Sequence, residues 1–88
     1  MRITKIRKRE GSVYPEWEGT DDEGRPIYMQ FQRGTLSIRL APTGGDAESA
    51  VVGEEIFLKE IAYGYELTYR DLRRMVEDDI DLPDQDHS

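Results

Sequence analysis

The chain has 88 residues, no cysteine, one histidine and a net charge of −7, from 19 acidic and 12 basic residues. This length fits one domain, and the absence of cysteine excludes disulfides, thiolate nucleophiles and cysteine-ligated metal sites. No apolar run approaches the ~20 residues that cross a bilayer, and the charged N-terminus lacks the apolar segment of a signal peptide. We therefore expect a single domain over residues 1–83 that stays in the cytoplasm and makes no contact with membranes.

Two segments before residue 20 carry strand signals. Residues 2–9 alternate weakly and predict a first strand, and residues 13–19 predict a second with Val13, Pro15 and Trp17 on one side. Pro15 has no amide proton, which favours an edge strand or a strand paired through its other side only. Residues 20–26, TDDEGRP, have the composition of a turn.

The clearest pattern lies in residues 27–40, IYMQFQRGTLSIRL. Apolar and polar residues alternate on both sides of Arg33 and Gly34, and glycine allows the positive φ of a two-residue hairpin turn. With that turn, the apolar side chains meet in pairs on one face, and a slip of one residue would separate them. The expected pairs are Phe31 with Leu36, Met29 with Ile38, and Ile27 with Leu40. The opposite face is expected to be wet and polar, with Tyr28 directly opposite Arg39.

The second half of the chain is more varied. Residues 41–50, APTGGDAESA, predict a long loop, and residues 54–62 favour a short helix over a buried strand. Thr68 begins a capping-box pattern, and the apolar spacing that follows predicts a helix over about 69–79. Residues 84–88 lack apolar groups, so we expect a disordered acidic tail there.

These elements predict an α+β fold. A small antiparallel meander of three or four strands, built around the hairpin at 27–40, packs its apolar face against the C-terminal helix.

The chain shows no pattern typical of a catalytic, metal or cofactor site. The TDDEG run at 20–24 is contiguous and lacks the alternating ligands of a calcium loop. His87 lies in the acidic tail, where it is poorly placed to act as a base, and Gly44 and Gly45 lack the lysine of a phosphate-binding loop. The sequence therefore predicts a non-enzymatic protein without cofactor or metal.

Acid-rich stretches at 16–23, 46–60 and 77–86 favour a basic protein partner, because they repel phosphate backbones and attract cationic surfaces. Small size, acidity and the lack of a catalytic pattern are typical of small phage and bacterial inhibitors or adaptors. The most concrete form is an anti-CRISPR-like antagonist that mimics nucleic acid and occupies the basic surface of a larger protein. The predicted partner-binding residues are Glu16, Glu18, Asp21, Asp22, Glu23, Tyr28, Arg39, Tyr63 and Tyr65.

Two alternatives stay open. A nucleic-acid-binding module could use the basic N-terminal strand together with Tyr28 and Arg39, although the overall charge disfavours direct nucleic-acid binding. A small toxin-immunity-type protein would also be acidic and would bind a protein partner.

Overall fold

The structure is a computed structural model that describes residues 1–61 and 67–84. Within these residues, five antiparallel strands form one sheet in the order β1-β2-β3-β4-β5. The antiparallel meander is confirmed, and it has five strands where three or four were predicted. Two helices complete the α+β fold. The elements are β1 (Ile3–Lys8), β2 (Glu16–Asp21), β3 (Pro26–Gln32), β4 (Thr35–Leu40), α1 (Ala47–Val51), β5 (Glu54–Glu60) and α2 (Tyr69–Val76).

The hairpin predicted from residues 27–40 is confirmed in its register. Ile27 lies opposite Leu40, Met29 opposite Ile38 and Phe31 opposite Leu36. Arg33 and Gly34 form the loop, and both have positive φ, 52° and 78°. Positive φ at both loop residues is typical of a type I′ turn, whose twist matches that of the two strands it connects. The turn therefore fixes which residues of the two strands face each other.

The apolar face of the sheet carries the main core, as the alternation predicts. The six apolar residues of the hairpin are buried together with Trp17 of β2 and with Leu72 and Val76 of α2. The capping box that begins α2 is also confirmed, since the Thr68 hydroxyl accepts a hydrogen bond from the Asp71 amide at 3.1 Å. The C-terminal helix therefore covers the face that the hairpin presents.

The short helix expected over 54–62 is wrong for the described part of that segment. Residues Glu54–Glu60 form β5, which pairs with β4 through Ile38 opposite Phe57 and Ser37 opposite Leu58. Ile56 and Phe57 are partly buried against the core. Pairing with β4 satisfies that strand's outer backbone groups, which a helix at this position would leave without partners.

The loop expected at 41–50 is interrupted by α1, whose first turn is capped by Asp46 through a 2.9 Å hydrogen bond from the Ser49 amide. The second strand also lies further along than expected. It runs from Glu16 to Asp21, whereas Val13 is 91% exposed outside it. Trp17 of this strand is buried in the core.

The C-terminal segment leaves α2 at Val76, three residues before the expected end, and is tied back to the fold. The Tyr69 hydroxyl donates to the Pro83 carbonyl at 2.6 Å, and Arg73 donates to Asp84 at 3.0 Å. Of the tail predicted to be disordered, Asp84 is described, and residues 85–88 lie outside the described residues. Within the described part, neither helix has the length and apolar content to cross a membrane.

Aspartate at position 38 and aspartate at position 37 should have opposite consequences. Ile38 is fully buried, so Ile38→Asp would bury a charge and reduce the free energy of unfolding by about 4 kcal/mol. Ser37 faces the other side of the same strand, and Ser37→Asp should change it by less than about 1 kcal/mol. Urea unfolding followed by circular dichroism measures both. Equal losses at the two positions would contradict the two-faced sheet.

Candidate protein-binding surface

The face of the sheet opposite α2 is called the polar face here. It carries a row of polar side chains that crosses all five strands. The strand register places the residues of its central row opposite one another. They are Arg7 on β1, Glu18 on β2, Tyr28 on β3, Arg39 on β4 and Glu55 on β5. Opposite charges therefore face each other on both sides of Tyr28, as Arg7 with Glu18 and Arg39 with Glu55, which favours cross-strand pairing.

The acidic residues predicted on β2 are neutralised within this face. Arg7 donates to Glu18 at 2.7 Å, and Arg9 donates to Glu16 at 3.3 Å. Arg9 also lies 3.8 Å from the second carboxylate oxygen of Glu18. Glu16 and Glu18 are thus ion-paired with Arg7 and Arg9 of the N-terminal segment. Neither the two acids nor the two arginines are fully available to a partner.

Tyr28 was predicted to stand on a wet surface, and that prediction is wrong. It is only 7% exposed, because α1 lies against β3 and β4 and packs Ala50 near the tyrosine with Ala41. The Arg9 guanidinium lies 5.7 Å from the centre of its ring. Burial, followed by a hydrogen bond to the Glu16 side chain, raises the pKa of Tyr28 to about 12. The phenol is therefore a structural part of the polar face.

Arg39 lies directly opposite Tyr28, as predicted, and is partly exposed. Its guanidinium is 3.7 Å from the Glu55 carboxylate on the neighbouring strand. Such a solvent-screened pair contributes little to stability, so Arg39 remains able to exchange Glu55 for another carboxylate.

The end of β2 and the turn after it contain one buried and two exposed acidic residues. Asp21 is buried, and its carboxylate accepts hydrogen bonds from the Glu23 amide at 3.0 Å and the Arg25 amide at 2.8 Å. Asp21 therefore holds the turn through a buried carboxylate, and its role in partner binding stays a prediction. Asp22 and Glu23 are exposed. Arg25 donates twice to the Ala41 carbonyl, which fixes the turn against the end of β4.

The topology brings exposed acids from all three acid-rich stretches to one end of the sheet. This is the end where β1, β3 and β5 begin and β2 and β4 finish, and we call it the acidic end. Asp81 reaches it because its amide donates to the Met1 carbonyl at 2.8 Å, and the Asp22 amide donates to the Arg2 carbonyl at 3.0 Å. Its exposed acids are Asp22, Glu23, Asp46, Glu48, Glu54, Asp79 and Asp81.

The carboxylates at the acidic end are less compensated than those of the polar face. Within residues 1–61 and 67–84, none of its exposed acids forms an ion pair with a lysine or arginine side chain. Positive charges in the segments at this end include Arg2, Arg25 and the N-terminal amino group. Hydrogen bonds from Ser49 lower the pKa of Asp46, which keeps that carboxylate ionised.

Sequence reasoning did not single out several of these exposed acids, namely Asp46, Glu48, Glu54, Asp79 and Asp81. The sequence signal was present in the acid-rich stretches, but only the strand order shows which of their members converge. Tyr63 and Tyr65, also predicted to bind a partner, lie outside the described residues. Among the described side chains, no cluster of three or more His, Asp or Glu residues is placed to hold a metal ion.

An open groove of about 510 Å³ borders the polar face between β1, β2 and the start of α1. Lys5, Arg7, Thr20, Pro26 and Ala47 contribute to its lining. The accessible surface of this groove is predominantly apolar.

Comparison of the chain with protein families, with curated proteins and with solved structures finds no match in any of the three. The function must therefore be inferred from the surfaces described above.

Replacing Tyr28 with phenylalanine should remove one tyrosine ionisation at high pH. The raised pKa means that the neutral phenol is favoured in the folded state, so its contribution to stability is complete below pH 10 and is lost as the pH rises through about 12. Ultraviolet titration of the folded protein should show a tyrosine ionising near pH 12, and Tyr28→Phe should lack it. A wild-type titration in which no tyrosine ionises with a midpoint clearly above pH 10 would contradict the buried position.

Proposed function

We propose that this protein is a non-enzymatic inhibitor or adaptor that binds a basic surface of a larger protein through its acidic end. The observation that carries the proposal is the convergence, at one end of the sheet, of exposed carboxylates from three separate stretches that form no ion pair with the described lysine and arginine side chains. On the polar face, by contrast, acidic and basic side chains satisfy each other. The acidic end is therefore where the described surface concentrates negative charge that is available to a partner.

The dimensions of the acidic end suit a cationic surface that normally holds nucleic acid. Five strands at a spacing of about 4.8 Å give a row of about 19 Å from β1 to β5. Carboxylates along such a row can meet several lysine or arginine side chains at once, as consecutive phosphates would. Their field also accelerates association with a basic partner and makes the rate sensitive to salt. The concrete form of the proposal is an anti-CRISPR-like antagonist acting in the cytoplasm on a nucleic-acid-handling protein.

The alternative of direct nucleic-acid binding has less support from the polar face. Stacking on bases needs an exposed aromatic ring, and phosphate binding needs unoccupied cations. Tyr28 is buried, and Arg7 and Arg9 are paired with Glu18 and Glu16. A toxin-immunity-type role would use the same acidic end against a basic enzyme, and identification of the partner distinguishes it from an antagonist of a nucleic-acid-handling machine.

Matched charge reversals test the proposal. Affinity capture from the native host with mass spectrometry identifies the partner, and binding kinetics at two salt concentrations then compare Asp22→Lys with Glu10→Lys. Both residues are exposed acids in strand connections, but Glu10 follows β1 at the opposite end of the sheet. Asp22→Lys should slow association about tenfold at low salt, and Glu10→Lys should change it by less than about threefold.

Added salt should reduce the difference between the two variants, because screening weakens the attraction that one of them has lost. Equal effects of the two reversals, or an association rate that salt does not change, would contradict binding through the acidic end. Recovery of bare nucleic acid in the capture experiment, with affinity lost on neutralising Arg7 and Arg9, would favour the alternative. Asp21 is kept unchanged throughout because it holds the turn.

A further inference from the structure

The two edges of the sheet differ in how they end. The start of β1 is covered by the chain itself, since the Ile3 amide donates to the Asp81 carbonyl at 2.9 Å and the Asp81 amide donates to Met1. The remainder of β1 carries Lys5, Arg7 and Lys8, and basic side chains on an edge discourage strand addition. β5 pairs only with β4 in the described sheet and carries a single lysine.

The register of β5 shows which of its backbone groups face outward. The Ile61 amide donates a hydrogen bond to the Gly34 carbonyl, so these two residues form a hydrogen-bonded pair. Along an antiparallel ladder, hydrogen-bonded and non-hydrogen-bonded pairs alternate. Lys59 and Phe57 therefore bond to β4. The amides and carbonyls of Leu58 and Glu60 point away from β4, towards the open edge. Both residues are exposed, and Leu58 is 59% exposed although it lies near the middle of the strand.

The side chains beside this edge define the chemistry of a segment that could pair with it. β5 carries the acids Glu54, Glu55 and Glu60 around Leu58. An added strand would gain backbone hydrogen bonds at Leu58 and Glu60, an apolar contact with Leu58, and attraction between its own cations and these acids. A second copy of the chain is disfavoured, because it would bring two such acidic strands together in a protein of net charge −7.

We propose that an extended, basic segment of the partner protein adds to the outer edge of β5 as a sixth antiparallel strand. This inference rests on the proposed function for the charge of the partner, and it adds the mode of contact. Backbone pairing at β5 fixes the orientation of the complex, and the acidic end at the start of β5 provides long-range attraction.

A synthetic peptide tests the edge without the natural partner. The probe is a nine-residue peptide of alternating lysine and valine with blocked ends, and the comparison peptide alternates glutamate and valine. Amide hydrogen exchange by NMR should show the Leu58 and Glu60 amides protected about tenfold by the lysine peptide. The Phe57 and Lys59 amides, already bonded to β4, should change much less. The glutamate peptide should protect neither pair.

Two substitutions at one position separate backbone pairing from side-chain contact. Leu58→Pro removes an outward amide and no bond to β4, so it should weaken peptide affinity about tenfold or more. Leu58→Ala keeps that amide and should weaken the affinity only about threefold. Thermal unfolding confirms that each variant is folded. The exchange pattern of the wild-type protein decides the question if Leu58→Pro does not fold.

The outcomes distinguish this inference from the proposed function. If the lysine peptide protects amides only at Asp22, Glu23 and the rest of the acidic end, and the Leu58 amide is unaffected, strand addition would be overturned. The acidic end would remain the contact surface. Protection at Leu58 and Glu60 together with unchanged binding of the partner by Asp22→Lys would support the edge and contradict the acidic end. Dimers of the protein that Leu58→Pro dissociates would show that a second copy, and not a basic segment, occupies the edge.

Discussion

The turn at Arg33 and Gly34 is the constraint on which the rest of the structure depends. Its positive φ angles select a two-residue hairpin, and the hairpin fixes the pairing of β3 with β4. That register puts the apolar side chains of both strands under α2 and leaves Tyr28 and Arg39 on the polar face. The outer edges of the same two strands then accept β2 and β5. A slip of one residue would reverse both faces at once.

The same register sorts the charges of the protein into two groups. Side chains in the central rows of the sheet meet partners of opposite charge on neighbouring strands, as Arg7 meets Glu18 and Arg39 meets Glu55. The exposed acids of the acidic end lie in connections or at strand ends, and among the described residues none of them forms an ion pair with a lysine or arginine side chain. Fold and proposed function are linked at this point, because uncompensated charge lies where the strands begin and end.

The sequence predicted the elements whose signals are local. Gly34 between two alternating runs was enough to predict the hairpin. The capping pattern of Thr68 with Asp71 was enough to predict where α2 begins. β5 was not predictable in the same way, because the run around Phe57 fits either a helix or a strand, and the free edge of β4 decides between them. α1 has only five residues, too few for a periodic signal. Its absence from the prediction is also why Tyr28 was expected on a wet surface.

The direct test of this account is the set of Hα–Hα nuclear Overhauser effects between strands, since close Hα pairs mark the non-hydrogen-bonded positions of an antiparallel ladder. We predict strong contacts between Met29 and Ile38 and between Ser37 and Leu58. The first establishes the hairpin register, and the second establishes β5 as the outer strand with the Leu58 backbone directed to the open edge. Helical contacts three residues apart within 54–60, with no contact from Ser37 to Leu58, would contradict the sheet, its open edge and the position of Glu54 at the acidic end.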